Sequence, residues 1–469
     1  MVLNQRQSCP HYFYRRMKKV HFIAIGGAAM HNLALALAEK GTLVTGSDDH
    51  IFEPSLSRLK AAGLLPEKTG WFPEKISPDL DGIVLGMHAR KDNPELARAR
   101  ELGLKIWSYP EFLYMSSLEK TRVVVGGSHG KTTVTSMMLH VLKAAGHDFD
   151  YMVGAKIPGF EKMVRLSDAP LIVLEGDEYL SSPLDPRPKF HHYHPRYAIL
   201  TGIGWDHINV FPTFESYLEQ FQIFITNMEA GGFLVYCDED SNLRTLVKSF
   251  GSHLNCVPYR APAFEISGER THLISADGTS YDLRVFGRHN LLNAEGARVL
   301  LGLLGVPDEK FYAAIRTFEG ASNRLEPIAR SGDTLVFKDF AHAPSKLKAT
   351  VAAVKEQFPG REVIACMELH TFSSLNKNFL EEYRGALDPA DTAFVFFNPE
   401  ALRLKRMEDL EPGFIKEKFG RKDLVVISES SLLESELLAL AGKGKVFLLM
   451  SSGDFGGIDL KKLALKLLS

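Results

Sequence analysis

The stretch Arg122-Val123-Val124-Val125-Gly126-Gly127-Ser128-His129-Gly130-Lys131-Thr132-Thr133 decides the fold. Its valine run reads as a buried strand, and the residues from Lys131 through Ala145 read as a helix. Between them, glycines let the backbone curl until several N–H groups face one point, and the helix N-terminus adds positive potential there. A loop of this kind cradles phosphate, with Lys131 spanning the outer phosphates and the Thr132 hydroxyl reaching Mg²⁺. Gly127, Ser128, His129, Gly130, Lys131, Thr132 and Thr133 are therefore the expected nucleotide-binding residues. The general pattern has a glycine five places before Gly130, where Val125 stands, so the loop is a variant. A turn that merely caps a helix is the competing reading; the strand before, the helix after and the Gly-Lys-Thr-Thr core weigh against it.

Working outward, the run Leu171–Leu174 leads into Glu175-Gly176-Asp177-Glu178, and Tyr197–Leu200 leads towards Trp205-Asp206-His207. The tips of parallel strands are where open α/β sheets bind ligands, and Mg²⁺ favours hard oxygen donors. Thr132, Glu175 and His207 are the expected metal set. Taken alone, a solvated acidic loop and a surface histidine would be the better reading; following a phosphate loop, the metal reading leads. His191, His192 and His194 also invite a zinc reading, but no cysteine or carboxylate in the local sequence completes a tetrahedral set, and a polar lead-in to the next strand is preferred.

Two further strand-turn-helix openings flank this one. The first runs Val20–Ile25 into Gly26-Gly27, then a helical stretch Leu33–Ala38 ending at Gly41, then the strand Leu43–Asp48. Apolar strands at Gly82–Leu85 and Lys105–Trp107 follow. As a dinucleotide fingerprint this opening is poor, because Ala24 and Ala29 stand where glycines belong. The third opening is Thr334–Asp339 with a helix after Pro344, followed by strands at Glu362–Met367, Thr392–Phe397, Leu424–Ser428 and Val446–Met450. Phe233 to Val285 reads as shorter strands and turns. The alternation predicts an α/β protein of three domains with mainly parallel sheets: a Rossmann-like domain over 1–118, a phosphate-loop domain over 119–320 and a Rossmann-like domain over 321–469.

Composition narrows the function classes. A chain of 469 residues exceeds one hydrophobic core, and 45% hydrophobic with 24% charged residues is ordinary for a globular protein. A net charge of -2 and the lack of any basic stripe argue against nucleic acid or a membrane surface as partner. Cys9, Cys237, Cys256 and Cys366 are scattered, which fits neither a disulfide framework nor a zinc cluster and suits a reducing compartment. Met1–Arg16 contains no apolar targeting core, the pair Arg15–Arg16 resembles a twin-arginine signal only superficially, and no run is long enough to span a bilayer. The cytoplasm is the expected location.

Together, Gly-Ser-His-Gly-Lys-Thr-Thr at 127–133, Glu175–Glu178, Asp206-His207, Gly287-Arg288-His289-Asn290-Leu291-Leu292-Asn293, Asn323-Arg324-Leu325-Glu326 and Asp339-Phe340-Ala341-His342 resemble the Mur ligase family. The resemblance covers nearly the whole chain from about Lys18, and the order and spacing of the motifs make it specific. It implies a UDP-sugar domain, a central ATPase domain and an amine-binding domain. It further implies that Lys131 and Thr132 hold ATP phosphates and Mg²⁺, with Glu175 and His207 on magnesium. His289, Asn290 and Asn293 lie at the adenine region, and Arg324 and Asp339 reach the nucleotide. Lys131, Glu175, His207, Arg324 and His342 form the implied catalytic set. Gly26, Gly27, Met30, Asp48 and Asn93 are implied for the UDP-sugar, and His370, Phe455 and Gly456 for the incoming amine.

The implied substrates are UDP-N-acetylmuramate and an amino acid or peptide, with no nucleic acid, no membrane insertion, and a monomer or homodimer as the working form. Two branches of the family use that sugar, one adding L-alanine and one adding the recycled tripeptide L-Ala-γ-D-Glu-meso-diaminopimelate. Glu175–Tyr179, Asp185–Phe190, Phe340–His342 and Met450–Ile458 look more like the peptide-adding branch. Other relatives carry a carbamylated lysine after the Asp-His pair, yet 208–228 holds no lysine and Gln222 stands near that place. The chain also departs from the family at Asn323, where an arginine is usual, at Ala343, where a second histidine is usual, and at Met367–Ser374, which lacks a Pro-Arg-Ser run. A non-catalytic sensor of UDP-sugars and ATP is the rival of another class.

Overall fold

The computed structural model describes residues 17–468. The Met1–Arg16 segment read above for targeting signals, and with it Cys9, lies outside the described residues. The chain divides into two compact units, one made of residues up to Gly127 with Leu142–Thr201 and Glu219–Pro258, the other of Ser128–Val141, Gly202–Leu218 and Tyr259 onwards.

The first unit carries two sheets. Strands β1 (Lys19–Ile23), β2 (Leu43–Ser47), β3 (Gly82–Leu85) and β4 (Ile106–Ser108) form a parallel sheet in the order β2-β1-β3-β4. The helix Ala28–Glu39 follows β1 and ends at Gly41, whose φ of +86° is the left-handed turn expected of a glycine there. Strands β5 (Thr121–Gly126), β6 (Asp150–Met152), β7 (Val164–Arg165), β8 (Leu171–Glu175), β9 (Tyr197–Leu200), β10 (Phe233–Cys237) and β11 (Asn255–Tyr259) form a sheet in the order β11-β10-β9-β5-β8-β6-β7. The pairs β10–β9, β9–β5, β5–β8 and β8–β6 are parallel, and the short edge strand β7 is antiparallel to its neighbour β6. Later strands lie on both sides of β5, with β9, β10 and β11 on one side and β8, β6 and β7 on the other, so the strand order reverses at β5 and its C-terminal tip is the natural ligand crevice. Val123, Val124 and Val125 are fully buried, as a central parallel strand requires.

The second unit has an antiparallel sheet, β12 (Ala263–Ser267), β13 (Arg270–Ile274) and β14 (Ser280–Leu283). Strands β15 (Glu326–Ser331), β16 (Thr334–Asp339), β17 (Glu362–Leu369), β18 (Thr392–Phe397), β19 (Val425–Ile427) and β20 (Lys445–Met450) form its larger sheet, ordered β15-β16-β20-β17-β18-β19. All its pairs are parallel except β15–β16. Successive side chains of β17 enter opposite cores: Val363, Ala365, Met367 and Leu369 go to one apolar cluster, Ile364 and Cys366 to the other. That explains the continuous apolar run read from the sequence.

The expected mainly parallel α/β sheets are thus present. One helix departs from the sequence reading. Ser241–Phe250, taken as part of a strand-and-turn stretch, is a helix whose Asp240 side chain accepts from the backbone of Asn242 and Leu243. Leu243 and Val247, four residues apart, are its buried stripe, a signal too short to stand out among polar neighbours. No helix among the described residues is long and apolar enough to cross a membrane. Cys237, Cys256 and Cys366 are unbridged.

Candidate active site

The phosphate loop bridges β5 and the helix Lys131–Ala144. Its bend rests on Gly127 at φ +123° and Gly130 at φ +80°, conformations a side chain resists. Gly130 is constrained twice over: a Cβ there would lie 2.4 Å from the Asn293 Oδ1, so the buried asparagine of the helix Arg288–Leu303 packs on bare backbone. The 130 and 293 motifs, far apart in sequence, therefore meet.

The loop is anchored by its own polar side chains. Ser128 is buried; its Oγ accepts from Gly204 N at 2.9 Å and lies 2.7 Å from the Tyr217 hydroxyl, while its backbone N–H donates to Gly202 O. His129 Nε2 is hydrogen-bonded to the Ser345 hydroxyl. Burial, then the nearby Lys346 ammonium, hold His129 down to about 3, so the ring is neutral at physiological pH. Thr132 and Thr133 are buried at the helix start, and the Thr132 carbonyl accepts from Ser136 Oγ.

Beyond β9 the chain passes Trp205, whose indole N–H donates to Phe211 O, and reaches Asp206 and His207. His207 adopts a left-handed φ of +55°, and its carbonyl accepts from Val210 N and Phe211 N, so a tight turn fixes it. Asp206 is 5% exposed, accepts from His207 N at 2.8 Å and lies 3.5 Å from Lys346 Nζ. Burial pushes its carboxyl up and the Lys346 ammonium pulls it down, and the balance holds it well below the usual range.

The third motif group sits on β16 and its exit. Asp339 is buried and accepts from Leu325 N at 3.0 Å; burial raises its carboxyl against the pull of Arg324. The Arg324 guanidinium lies 4.6 Å over the Phe340 ring and donates to Asn323 O. Asn323 has φ +57°, a left-handed site that asparagine tolerates well, which gives the departure from arginine a backbone reason. His342 Nδ1 lies 2.8 Å from Phe340 O, and because a carbonyl only accepts, Nδ1 carries the proton and Nε2 the lone pair. Burial, then Lys346, lower this imidazole to about 3. Ala343 is buried where a second histidine is usual, and its carbonyl starts the helix Pro344–Gln357. His289 is likewise held to about 4 by burial, and Asn290 donates to Phe286 O.

Glu175 belongs to the other unit. It ends β8 in register with Val125, is 8% exposed, and accepts from Gly154 N at 2.8 Å through Oε2, which fixes its rotamer. In the same unit, Gly26 N donates to Asp48 Oδ2 at 2.7 Å, and burial raises that carboxyl. Gly27 precedes the helix Ala28–Glu39 without a side-chain cap, and Met30 is buried in its first turn. Asn93 is used as a helix cap, its Oδ1 accepting from Glu95 N and Leu96 N. The expectation that no carboxylate joins the histidine trio is corrected for His192: Asp185 Oδ2 lies 3.2 Å from its Nε2, with Glu111 nearby. The Arg187 guanidinium forks both oxygens of Asp185, and His191 and His194 bond separate carbonyls, so the three rings do not converge.

At the tips of β17 and β20, the Phe455 ring is buried beside Phe396, and its backbone N–H donates to Glu368 Oε2. Gly456 has φ +66°, and a Cβ there would meet Ser430 Oγ at 2.3 Å. His370 Nδ1 stands 3.7 Å from Glu368 Oε1. Glu368, Ser345 and Lys346 were missed by sequence reasoning. Glu368 hides in an apolar run; its position at a strand tip was the available signal.

Comparison with known proteins covers the whole arrangement. Three family models match in order: the Mur ligase family catalytic domain over residues 19–120, the Mur ligase middle domain over 125–301 and the Mur ligase glutamate ligase domain over 323–453. The chain is 31% identical over 449 residues to the UDP-N-acetylmuramate–L-alanine ligase of Paenarthrobacter aurescens, covering 93% of this chain and 94% of that one. It is 28% identical over 464 residues to the UDP-N-acetylmuramate–L-alanyl-γ-D-glutamyl-meso-2,6-diaminoheptandioate ligase of Haemophilus influenzae, covering 96% and 100%. The crystal structure of a murein peptide ligase from Psychrobacter arcticus superposes with a TM-score of 0.66 at 24% identity, covering 96% of this chain and 99% of that one.

Proposed function

This chain belongs to the Mur ligase family of ATP-dependent amide-bond-forming ligases, and from that premise we propose that it joins the lactyl carboxylate of UDP-N-acetylmuramate to the amine of L-Ala-γ-D-Glu-meso-diaminopimelate through an acyl phosphate. We assign 1–118 to the sugar nucleotide, 119–320 to ATP and 321–469 to the amine.

A carboxylate cannot expel oxide, so it must first be phosphorylated. Its oxygen bonds to the γ-phosphorus as the bond to the β-phosphate oxygen breaks, releasing ADP. Lys131 and the loop N–H groups offset charge that builds on the transferring phosphoryl. Thr132, Glu175 and His207 are hard or borderline donors suited to Mg²⁺, which would neutralise the phosphates when bound. The amine nitrogen then bonds to the acyl carbon, and phosphate leaves with the electron pair. His342 presents a lone pair at Nε2, and with its imidazole near 3 it is too weak a base to strip an ammonium. Its role is to accept an N–H and aim the amine, while the departing phosphate takes the proton.

What supports the peptide substrate is the likeness of Glu175–Tyr179, Asp185–Phe190, Phe340–His342 and Met450–Ile458 to the peptide-adding branch, together with the 28% identity over 464 residues to the peptide-adding ligase of Haemophilus influenzae. The 31% identity to an alanine-adding relative favours the second reading, L-alanine itself. Phosphate release with UDP-N-acetylmuramate and tripeptide, run beside the same assay with L-alanine, separates the two. Turnover with L-alanine alone rejects the peptide assignment.

A further inference from the structure

We propose that Lys346 is a second phosphate-facing cation of this reaction, held on Asp206 and drawn onto the transferring phosphoryl group when ATP fills the loop. The proposal rests on the ligase reading above for the identity of the reaction, and on geometry within one compact unit for its location.

Lys346 lies in the first turn of the helix Pro344–Gln357. The residue before it, Ser345, is bonded to His129 of the phosphate loop, so this turn is tied to the loop itself. The ammonium stands 3.5 Å from Asp206 Oδ2, beyond the 2.7–3.2 Å of a good N–H···O bond. Asp206 Oδ1 is separately held by His207 N at 2.8 Å. The carboxylate is therefore fixed by the backbone as well as by its ion pair. The lysine side chain is 25% exposed against 7% for the aspartate, so the ammonium is the solvent-facing member of the pair.

His129 and His342 are buried and neutral near pH 7, while Lys131 and Lys346 bring charge beside the loop, with Arg324 further along the same cluster. A γ-phosphoryl group entering the loop carries more negative charge than a single carboxylate, and a flexible four-carbon stem lets a lysine follow it. The step needs no extra reactant: the carboxylate–phosphorus bond forms, the bond to ADP breaks, and Lys346 transfers no proton.

The test uses the full chain as K346M and K346R, with two readouts. The first is amine-dependent phosphate release. Removing one preorganised charge from the transferring group is expected to lower kcat about 100-fold, with the KM for ATP moving less than about threefold, and arginine restoring most of the rate. The second is equilibrium binding of a non-hydrolysable ATP analogue against ADP, which needs no turnover. Wild type should favour the analogue by about tenfold, and K346M should lose that preference at an unchanged thermal midpoint. If wild type shows no ligase activity yet K346M still abolishes the γ-phosphate preference, the ligase reading fails and Lys346 stands. If the ligase works and K346M leaves both kcat and the preference intact, or lowers only the thermal midpoint, the Asp206–Lys346 pair is structural and the proposal is overturned.

Discussion

The loops after β1 and β5 share a plan, a buried parallel strand, two adjacent glycines and a helix, yet they present opposite electrostatics. After β1, the Gly26 N–H is taken by Asp48, a carboxylate whose charge burial already disfavours. After β5, the anchors of the loop are neutral hydroxyl and imidazole groups, and the nearby charges are lysines, one of them paired with Asp206. A carboxylate at a helix start competes with phosphate and offers an acceptor to sugar hydroxyls; neutral anchors with lysines leave the N–H groups to a polyanion. Identical local grammar can thus serve different ligands because side chains arriving from other strands set the field.

Lys131→Ala should break the comparison most severely. Turnover is expected to fall by about 10²–10³ or more with either amine substrate, and unchanged phosphate release would show that this loop is not the nucleotide site. Glycine substitutions come next. Gly130→Ala meets both a positive φ and Asn293, so it should cost about 1–2 kcal/mol of stability and weaken ATP binding. Gly26→Ala meets the movable end of Asp48 at 2.9 Å and no positive φ, so it should raise the KM for the sugar nucleotide about tenfold and leave the KM for ATP alone. Reversal of those two KM effects would exchange the ligands assigned to the two loops.

A smaller effect is pH. His129 and His342 are held to about 3, and His289 and His191 to about 4, against an ordinary 6.5. The unfolded chain takes up protons below about 6.5 while the folded chain does not until about 4, so stability should fall as pH drops through that window. The limiting slope is about 1.4 kcal/mol per pH unit for each histidine, less where water reaches the ring. Urea midpoints measured between those limits check the sign; a rise in stability on acidification contradicts the buried neutral rings. The mildest change is Asn93→Ala, expected to cost about 1 kcal/mol as a lost helix cap with little change in substrate KM. A large KM effect at unchanged stability would make Asn93 a ligand contact instead.

Much of this was legible along the chain because the signals are local. Strand tips such as Glu175 and Asp339 were readable, since apolar runs and the charged residues that end them are neighbours in sequence. What escaped was either too short, like the Leu243–Val247 stripe, or came from elsewhere in the fold, like Ser345 reaching His129. The structure adds a helix-capping role for Asn93 and a buried setting beside Phe396 for the Phe455 ring.

By itself, the sequence determined that this is a multi-sheet α/β protein with a phosphate loop and the ordered motifs of its family, because glycine conformations, strand periodicity and motif order are properties of neighbouring residues. Only the tertiary structure decided that Asn293 closes on Gly130, that Lys346 leans on Asp206 and that Ser345 bonds His129. Those depend on groups hundreds of atoms apart along the chain, brought within hydrogen-bond or ion-pair range by packing that no local pattern encodes.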